Sequence, residues 1–155
     1  MKKPLEYGMF VLSIFGILVA GYLTWEHYAH IVPPCTTRFS FVDCGAVLQS
    51  KYSAIFGIPL ALFGFVFYIM ELILSWLVIT TGERLFKLTV LTVAAIGAVA
   101  SGYLVYLQLV VIQAVCLYCM ASAVISVLLF IFSQVAFAAE NRYLVDVFFR
   151  IFKKT

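Results

Sequence analysis

Long apolar stretches separated by short polar connections make up most of the chain. Four of these stretches hold at most one charged residue each and are long enough to cross a bilayer, which takes about 20 residues in a helix. They predict an all-α, polytopic membrane protein, a four-transmembrane-helix bundle with spans at about 7–28, 54–79, 88–113 and 116–139. Residues 29–53 form the longest connection and predict a long outer loop between the first two helices.

The composition excludes a soluble domain as the main body of the protein. Hydrophobic residues make up 65% of the 155 residues and charged residues 11%, whereas soluble domains average about 45–50% apolar residues. The spans leave no room for a sizeable water-soluble part, so we expect a single membrane domain over residues 1–155. The tail 141–155 combines apolar residues at helical spacing with basic ones and is predicted to be an amphipathic segment along the membrane surface.

The ten Lys and Arg residues predict the orientation, because basic loops are retained in the cytoplasm. Only Arg38 and Lys51 fall on the side of the long loop. The other eight fall on the side of the two termini: Lys2, Lys3, Arg84, Lys87, Arg142, Arg150, Lys153 and Lys154. We therefore expect a multi-pass protein of the cell membrane with cytoplasmic termini and an extracytoplasmic long loop. Basic residues scattered in this way form no stripe for nucleic acid, so no nucleic-acid partner is expected.

The four cysteines fall into two pairs on the predicted outer side. Cys35 and Cys44 lie in the long loop, and Cys116 and Cys119 form a C-x-x-C segment where the fourth span begins. Extracytoplasmic compartments are oxidising, so thiols there commonly form disulfides, and four cysteines allow three pairings. A structural disulfide in the loop, buried thiols in the span and a zinc site are the alternatives to a redox role.

A C-x-x-C at the beginning of a helix favours redox chemistry on physical grounds. The two sulfurs lie one turn apart near free backbone N–H groups and the positive end of the helix dipole, which stabilise a thiolate. At the edge of the membrane, a lipid-soluble quinone is a suitable electron acceptor. The loop pair can then exchange with the helix pair, because thiol–disulfide exchange proceeds through mixed disulfides.

Three segments resemble prokaryotic members of the vitamin K epoxide reductase (VKOR) family: Asp43 to Tyr52 (DCGAVLQSKY), Ile55 to Gly64 (IFGIPLALFG) and Cys116 to Cys119 (CLYC). The resemblance covers essentially the whole chain. It implies a four-helix membrane enzyme, a quinone-dependent thiol–disulfide oxidoreductase that supports disulfide bond formation in exported proteins. Many bacterial members carry a fused thioredoxin-like domain after the helices. Here the redox partner is expected to be a separate extracytoplasmic thioredoxin-fold (DsbA-like) protein.

The same resemblance implies unequal catalytic roles for the cysteines. Cys119 would lie next to the quinone, and Cys116 would exchange with the loop. Cys44 would be the loop partner of Cys116, and Cys35 would meet the thioredoxin-fold protein. Ser50, six residues after Cys44, matches a family serine near the active site.

The predicted quinone site combines Cys119 and Ser50 with Phe63, which lies in the second matching segment, and Gln108. Gln108 lies near the outer end of the third span, where it could donate a hydrogen bond to a quinone oxygen or simply contact interfacial water. His27 and His30 could relay protons for quinol formation or lie at the interface without a role. We expect an ordinary respiratory quinone, menaquinone or ubiquinone, because nothing in the chain indicates an epoxide substrate.

Two other functions remain possible from the sequence. An enzyme of the DsbB type would need the C-x-x-C in the first outer loop, and here the order of the two pairs is reversed. A non-catalytic membrane subunit or small transporter with structural disulfides is the alternative from another class. Glu71 is the feature that favours transport. At about 1.5 Å per residue it is expected about 25 Å below Ala54, near the inner interface and solvated.

Overall fold

The computed structural model describes residues 3–29 and 42–137. Long helices are α1 (Lys3–Ala29), α3 (Leu60–Thr81), α4 (Arg84–Tyr106) and α5 (Leu117–Ala136); shorter elements are the helix α2 (Cys44–Leu48) and the strands β1 (Ala54–Ile55) and β2 (Ile58–Pro59). A π-helix, Leu107–Ile112, continues α4. Four helical segments are long and apolar enough to span a membrane. The predicted all-α, four-helix membrane fold is therefore confirmed.

Two predicted features fall partly or wholly outside the described residues. Residues 30–41 of the predicted outer loop lie outside the described residues, and so does the whole of the predicted amphipathic tail, 141–155. The described part of the predicted loop after α1, residues 42–53, holds α2, and the two strands follow it within residues 54–59. Both predictions stay predictions.

The four long helices form an antiparallel bundle in which α1 packs against α3 and α5, and α4 packs against the same two helices. At one end, which we call the cysteine end, α1 ends and α5 begins. At the opposite end, the far end, Gly82 joins α3 to α4 with a left-handed backbone (φ 67°). Glycine adopts this conformation without the steric cost that a Cβ brings. A connection of two residues therefore suffices there.

Two glycines let aromatic rings enter the centre of the bundle. A Cβ at Gly16 of α1 would overlap the ring of Tyr68, and a Cβ at Gly97 of α4 would overlap the ring of Phe67. Small residues at such contacts allow close helix packing in membranes. Tyr68 is 1% exposed, and its hydroxyl donates a hydrogen bond to the carbonyl oxygen of Ser122 at 2.7 Å. Tyr68 thereby joins α3 to α5 across the bundle.

The second long helix begins later than its apolar run predicts. The run suggested a span from residue 54, but α3 begins at Leu60 because residues 54–59 form a β-hairpin. Phe56 (φ 51°) and Gly57 (φ 79°) form its turn, which matches the positive φ values that tight two-residue hairpins require. The other helices differ less from prediction: α4 begins at Arg84 rather than at 88, and α5 ends at Ala136 rather than at 139.

The position expected for Glu71 is wrong for the same reason. Counted from Leu60, Glu71 lies about 16 Å along α3 at about 1.5 Å per residue, which is the middle of this helix and not its inner end. Its side chain is 0% exposed. Both carboxylate oxygens are buried without a hydrogen-bond partner among the described residues. Glu71 is therefore an interior residue of the bundle, not a solvated acid at the interface.

Candidate active site

The C-x-x-C segment lies where α5 begins. Cys116 is the N-cap residue of α5, with extended backbone (φ −96°, ψ 118°), and Cys119 lies in the first turn. The Sγ of Cys116 accepts a hydrogen bond from the backbone N–H of Cys119, with an N···S distance of 3.4 Å. A side-chain acceptor here satisfies one of the free N–H groups with which a helix begins. Both thiols are free, Cys116 fully buried and Cys119 partly exposed.

Cys44 lies at the first position of α2. Asp43 caps this helix, and its carboxylate accepts a hydrogen bond from the backbone N–H of Ala46 at 2.9 Å. Cys44 is 1% exposed and forms a disulfide. Cys35, the other predicted loop cysteine, lies outside the described residues.

Two backbone segments meet next to the cysteines. Val42 and Val115 form an isolated parallel bridge, in which the backbone N–H of Asp43 donates to the carbonyl oxygen of Val115 at 3.2 Å. Cys44 follows the bridge on one segment and Cys116 follows it on the other. Both cysteines belong to one buried cluster, with Val47 and Ala114. The fold thus brings the loop cysteine Cys44 and the helix cysteine Cys116 together.

A cavity of about 310 Å³ lies among α1, α2, α3, α4 and α5. Its walls are mainly apolar and aromatic and include Ala20, Leu23, Leu60, Phe63, Phe67, Ile96, Leu104 and Val105. All four residues predicted to contact a quinone, Cys119, Ser50, Phe63 and Gln108, border this cavity. Among the described cysteines Cys119 borders it, whereas Cys44 and Cys116 do not. The two sulfurs of the C-x-x-C pair therefore have different neighbours.

A few polar groups interrupt the apolar wall of the cavity. The Ser50 hydroxyl donates to the carbonyl oxygen of Val47 at 2.8 Å, so its oxygen remains able to accept a hydrogen bond from a ligand. His27, one of the two histidines for which the sequence allowed either a proton relay or an interfacial position, also borders the cavity. The other, His30, lies outside the described residues. Tyr68 and Ser122 border it too, and neither was predicted. Ser122 lies three residues after Cys119 on α5, and that helical spacing is the sequence signal that could have identified it.

Gln108 holds the C-x-x-C segment through the π-helix. Its Oε1 accepts a hydrogen bond from the backbone N–H of Cys116 at 2.9 Å, and its carbonyl oxygen accepts one from the N–H of Ala114 at 3.2 Å. The residue is 4% exposed, so a role in contacting interfacial water does not fit. A direct contact between Gln108 and a quinone stays a prediction.

The two thiols have different acidities, because one donates a hydrogen bond to the other. The hydrogen bond from the Cys119 thiol is the largest effect on Cys116 and lowers the pKa of the Cys116 thiol below its ordinary value. Backbone N–H groups of α5 act in the same direction, while burial and the negative charge of Glu26 act against it. Glu26 is 3% exposed and was not predicted to matter for this site. In the reduced pair, Cys116 is therefore the more acidic of the two thiols.

We expect Cys119→Ala to move formation of the Cys116 thiolate to higher pH and Cys119→Ser to leave the pH of this transition nearly unchanged. A serine hydroxyl still donates a hydrogen bond to the Cys116 sulfur, and alanine cannot. Hydrogen bonds to charged groups contribute about 1.5–3 kcal/mol. At a given pH, the ratio of Cys116 thiolate to thiol should therefore be roughly ten-fold to a hundred-fold lower in the alanine variant. The measurement is thiolate ultraviolet absorbance against pH.

That titration is made with Cys35 and Cys44 both replaced by alanine, so that Cys116 is the single thiol of each Cys119 variant. The same double variant with Cys119 intact is the reference. Equal transition pH values for the serine and alanine variants would contradict the assignment of the low pKa to a hydrogen bond from residue 119.

No group of three or more His, Cys, Asp and Glu side chains within residues 3–29 and 42–137 is arranged to hold a metal ion. Comparison with protein-family models gives a match to the Vitamin K epoxide reductase family over residues 8–134. The matched region contains most of α1, the described loop, α3, α4 and nearly all of α5. A search of curated proteins finds no match.

Proposed function

The chain belongs to the vitamin K epoxide reductase family, and on that basis we propose that it transfers electrons from a reduced thioredoxin-fold protein to a membrane quinone. Family membership makes it a multi-pass membrane thiol–disulfide oxidoreductase. The observation that carries the finer proposal is the unequal surroundings of the C-x-x-C pair. Cys116 is buried in one cluster with Cys44, whereas Cys119 packs against the outside of that cluster and also borders the apolar cavity. Of the two sulfurs, only that of Cys119 therefore belongs to a residue that borders the proposed quinone site.

In the proposed path, the thioredoxin-fold protein reduces a disulfide between Cys35 and Cys44. The Cys44 thiolate then attacks the Cys116 sulfur of an oxidised C-x-x-C pair and expels Cys119 as a thiolate. Cys35 next attacks Cys44, which restores the loop disulfide and releases Cys116. The result is a loop disulfide with two free thiols in the C-x-x-C pair, which is the combination found at Cys44, Cys116 and Cys119.

The cavity fits a quinone in size and chemistry. Cofactor sites typically occupy about 300–1,000 Å³ and have apolar walls with a few polar groups. Phe63 would pack on the ring system, while Ser50 and Gln108 would provide polar contacts and Cys119 the reacting sulfur. The bound quinone supplies the capacity to take up two electrons and two protons. We propose menaquinone or ubiquinone as the acceptor, because both are soluble in the lipid next to the bundle.

We propose that the cysteine end faces the extracytoplasmic side and that the product is a disulfide in exported proteins. Arg84 and Lys87 begin α4 at the far end, and Trp25 and Tyr28 lie in the last turns of α1 at the cysteine end. Basic residues favour the cytoplasmic side, and aromatic residues favour the interface. These positions support an extracytoplasmic cysteine end. In that orientation an oxidised loop pair can react with a dithiol partner in the periplasm or outside the cell.

The purified protein is expected to convert added ubiquinone or menaquinone to quinol when it is mixed with a reduced thioredoxin-fold protein. Cys116→Ala and Cys119→Ala should each abolish this turnover, because two sulfurs are needed to release two electrons as a disulfide forms. Quinol formation is followed by absorbance and partner oxidation by thiol labelling. Mass spectrometry of lipids that co-purify with the protein identifies the native quinone.

Ser133→Ala is the control, because Ser133 lies on α5 far from the cysteine pair and its hydroxyl already bonds the carbonyl of Phe130. Its turnover should equal that of the unchanged protein. Full activity in both cysteine variants would rule out the proposed electron path. Absence of any thiol oxidation in the unchanged protein would leave the structural-disulfide alternative.

A further inference from the structure

Polar side chains continue from Cys119 down one face of α5. Ser122 and Ser126 follow Cys119 by three and seven residues, so the three residues share a helix face. Ser122 borders the cavity beside Cys119. Ser126 lies one turn deeper and is 1% exposed. This spacing places a hydroxyl at each turn below the reacting sulfur.

A second polar row on α3 lies at a similar depth. Tyr68, Glu71 and Ser75 occupy one face of that helix at spacings of three and four residues, and all three are buried. The Tyr68 hydroxyl lies 2.9 Å from the Ser122 hydroxyl, which joins this row to the one on α5. We call the six residues Cys119, Ser122, Ser126, Tyr68, Glu71 and Ser75 the polar ladder.

The deeper half of the polar ladder is under-satisfied. Both carboxylate oxygens of Glu71 and the hydroxyl oxygens of Ser75 and Ser126 are buried without a hydrogen-bond partner among the described residues. Such groups are costly in a membrane interior, where no bulk water can compensate them. An ionisable residue there is a functional candidate, and ordered water commonly bridges buried polar groups of this kind.

The polar ladder is connected to the cavity and closed toward the far end. Tyr68 and Ser122 both border the cavity. Below Ser75, the buried side chains of Val78, Val90, Ala136 and Phe137 belong to one apolar cluster, and the buried hydroxyl of Ser133 on α5 is bonded to the carbonyl oxygen of Phe130 in its own helix. Among the described residues, the polar groups next to Glu71 therefore lead toward the cavity at the cysteine end and not toward the far end.

We propose that Glu71 is a proton-storing site of the redox reaction, linked to Cys119 and the cavity through the hydroxyls of the polar ladder and bridging water. The resting group is the neutral acid, because an unpaired carboxylate in this interior is strongly disfavoured. This inference rests on the proposed function, and it adds a residue that neither cysteine pair contains.

The proton balance explains why such a store is useful. When the reduced pair reacts with its more acidic thiol, Cys116, as the thiolate, it holds one proton, on Cys119. Forming the Cys116–Cys119 bond releases two electrons and that one proton, but reduction of a quinone to quinol takes up two of each. The Glu71 acid supplies the second proton and becomes a carboxylate, so the net charge is unchanged. Oxidation of the next dithiol releases protons at the cysteine end, and one of them returns to Glu71 through the cavity.

The test is infrared spectroscopy of the full chain in lipid vesicles, with and without ¹³C-labelled glutamate. The C=O stretch of a neutral glutamic acid should be visible at neutral pH and absent in Glu71→Gln. After transfer to D₂O the band should shift as the acid proton exchanges. Ser126→Ala should slow this exchange roughly ten-fold, as expected for loss of one hydrogen bond from the link. Ser133→Ala, a buried serine on the same helix with its hydroxyl already bonded, should leave the rate unchanged.

Quinol formation is measured on the same samples. Glu71→Gln should reduce it roughly a hundred-fold, the lower range of positioned acid–base groups. If the unchanged protein forms quinol but shows no neutral glutamic acid band, or if exchange is equal in the Ser126 and Ser133 variants, the proton store is refuted. If the unchanged protein forms no quinol, the proposed function itself fails. If Glu71→Gln does not fold, Glu26→Gln, which removes the other buried glutamate among the described residues, decides the assignment: a band that persists in this variant supports Glu71, and a band that disappears refutes it.

Discussion

Replacing Cys119 by serine is expected to convert most of the protein into a form with a disulfide between Cys44 and Cys116. The Cys116 thiolate attacks the Cys44 sulfur of the loop disulfide, a bond forms between these two sulfurs, and the other loop sulfur leaves as a thiolate. In the unchanged protein Cys119 resolves this bond at once, because it lies one turn away on the same helix. A serine cannot do so, and turnover should fall to the uncatalysed background.

Peptide mapping under non-reducing conditions identifies the bond. Cys116→Ser is the matched control: it leaves Cys119 as the single thiol of the pair, and Cys119 borders the cavity and packs only against the outside of the cluster in which Cys44 and Cys116 are buried. No bond to Cys44 is expected in this control. A disulfide between Cys44 and Cys119 in the control, together with none in Cys119→Ser, would show that the two cysteines have exchanged roles.

The sequence was sufficient for the features that depend on composition and short-range spacing. Four apolar runs predicted the four spanning helices, because length and hydropathy alone decide whether a helix suits a bilayer. The spacing of Cys116 and Cys119 placed their sulfurs one turn apart at the beginning of a helix, which is how they lie. The match between residues 43–52 and 116–119 and a known family gave the class of enzyme.

The hairpin at 54–59 could not be predicted from hydropathy. Its residues are as apolar as the helix that follows, so no change of pattern marks the boundary. The turn also requires a positive φ at Phe56, and the neighbouring Gly57 is the one residue there whose type indicates a turn. This one boundary also determined the depth assigned to Glu71. Measuring from Ala54 placed the carboxyl at the inner interface, whereas measuring from Leu60 places it in the middle of the bundle.

Contacts between distant segments were also beyond the sequence. The bridge between Val42 and Val115 brings the two cysteine segments together through backbone groups, which leave no trace in residue identity. The π-helix at Leu107–Ile112 contains Gln108, whose Oε1 accepts the hydrogen bond from the Cys116 N–H. Such π-helical segments often occur at functional sites, but ordinary helical periodicity does not reveal them.

Gln108→Met is therefore expected to slow electron transfer strongly while the bundle remains folded. Methionine keeps the length of the side chain but removes the oxygen that accepts from the Cys116 N–H at 2.9 Å. An unpartnered buried N–H costs about 1–3 kcal/mol, and the helix start can relieve this cost by moving Cys116 away from Cys44. We expect the exchange rate between the loop and the C-x-x-C pair to fall roughly ten-fold to a hundred-fold.

Gln108 has two possible roles, to position Cys116 or to contact the quinone, and two measurements separate them. Stopped-flow kinetics follow disulfide exchange between the loop pair and the C-x-x-C pair, and equilibrium binding gives the affinity for ubiquinone. If the residue acts by positioning Cys116, Gln108→Met slows exchange and Gln108→Glu, which keeps an acceptor oxygen, restores most of the rate; quinone affinity changes little in either. Gln113→Asn is the control, because Gln113 is an exposed amide in the same turn and asparagine tolerates its left-handed backbone (φ 58°). If Gln108→Met instead loses quinone affinity while disulfide exchange between the loop and the C-x-x-C pair keeps its rate, Gln108 contacts the quinone and does not position Cys116.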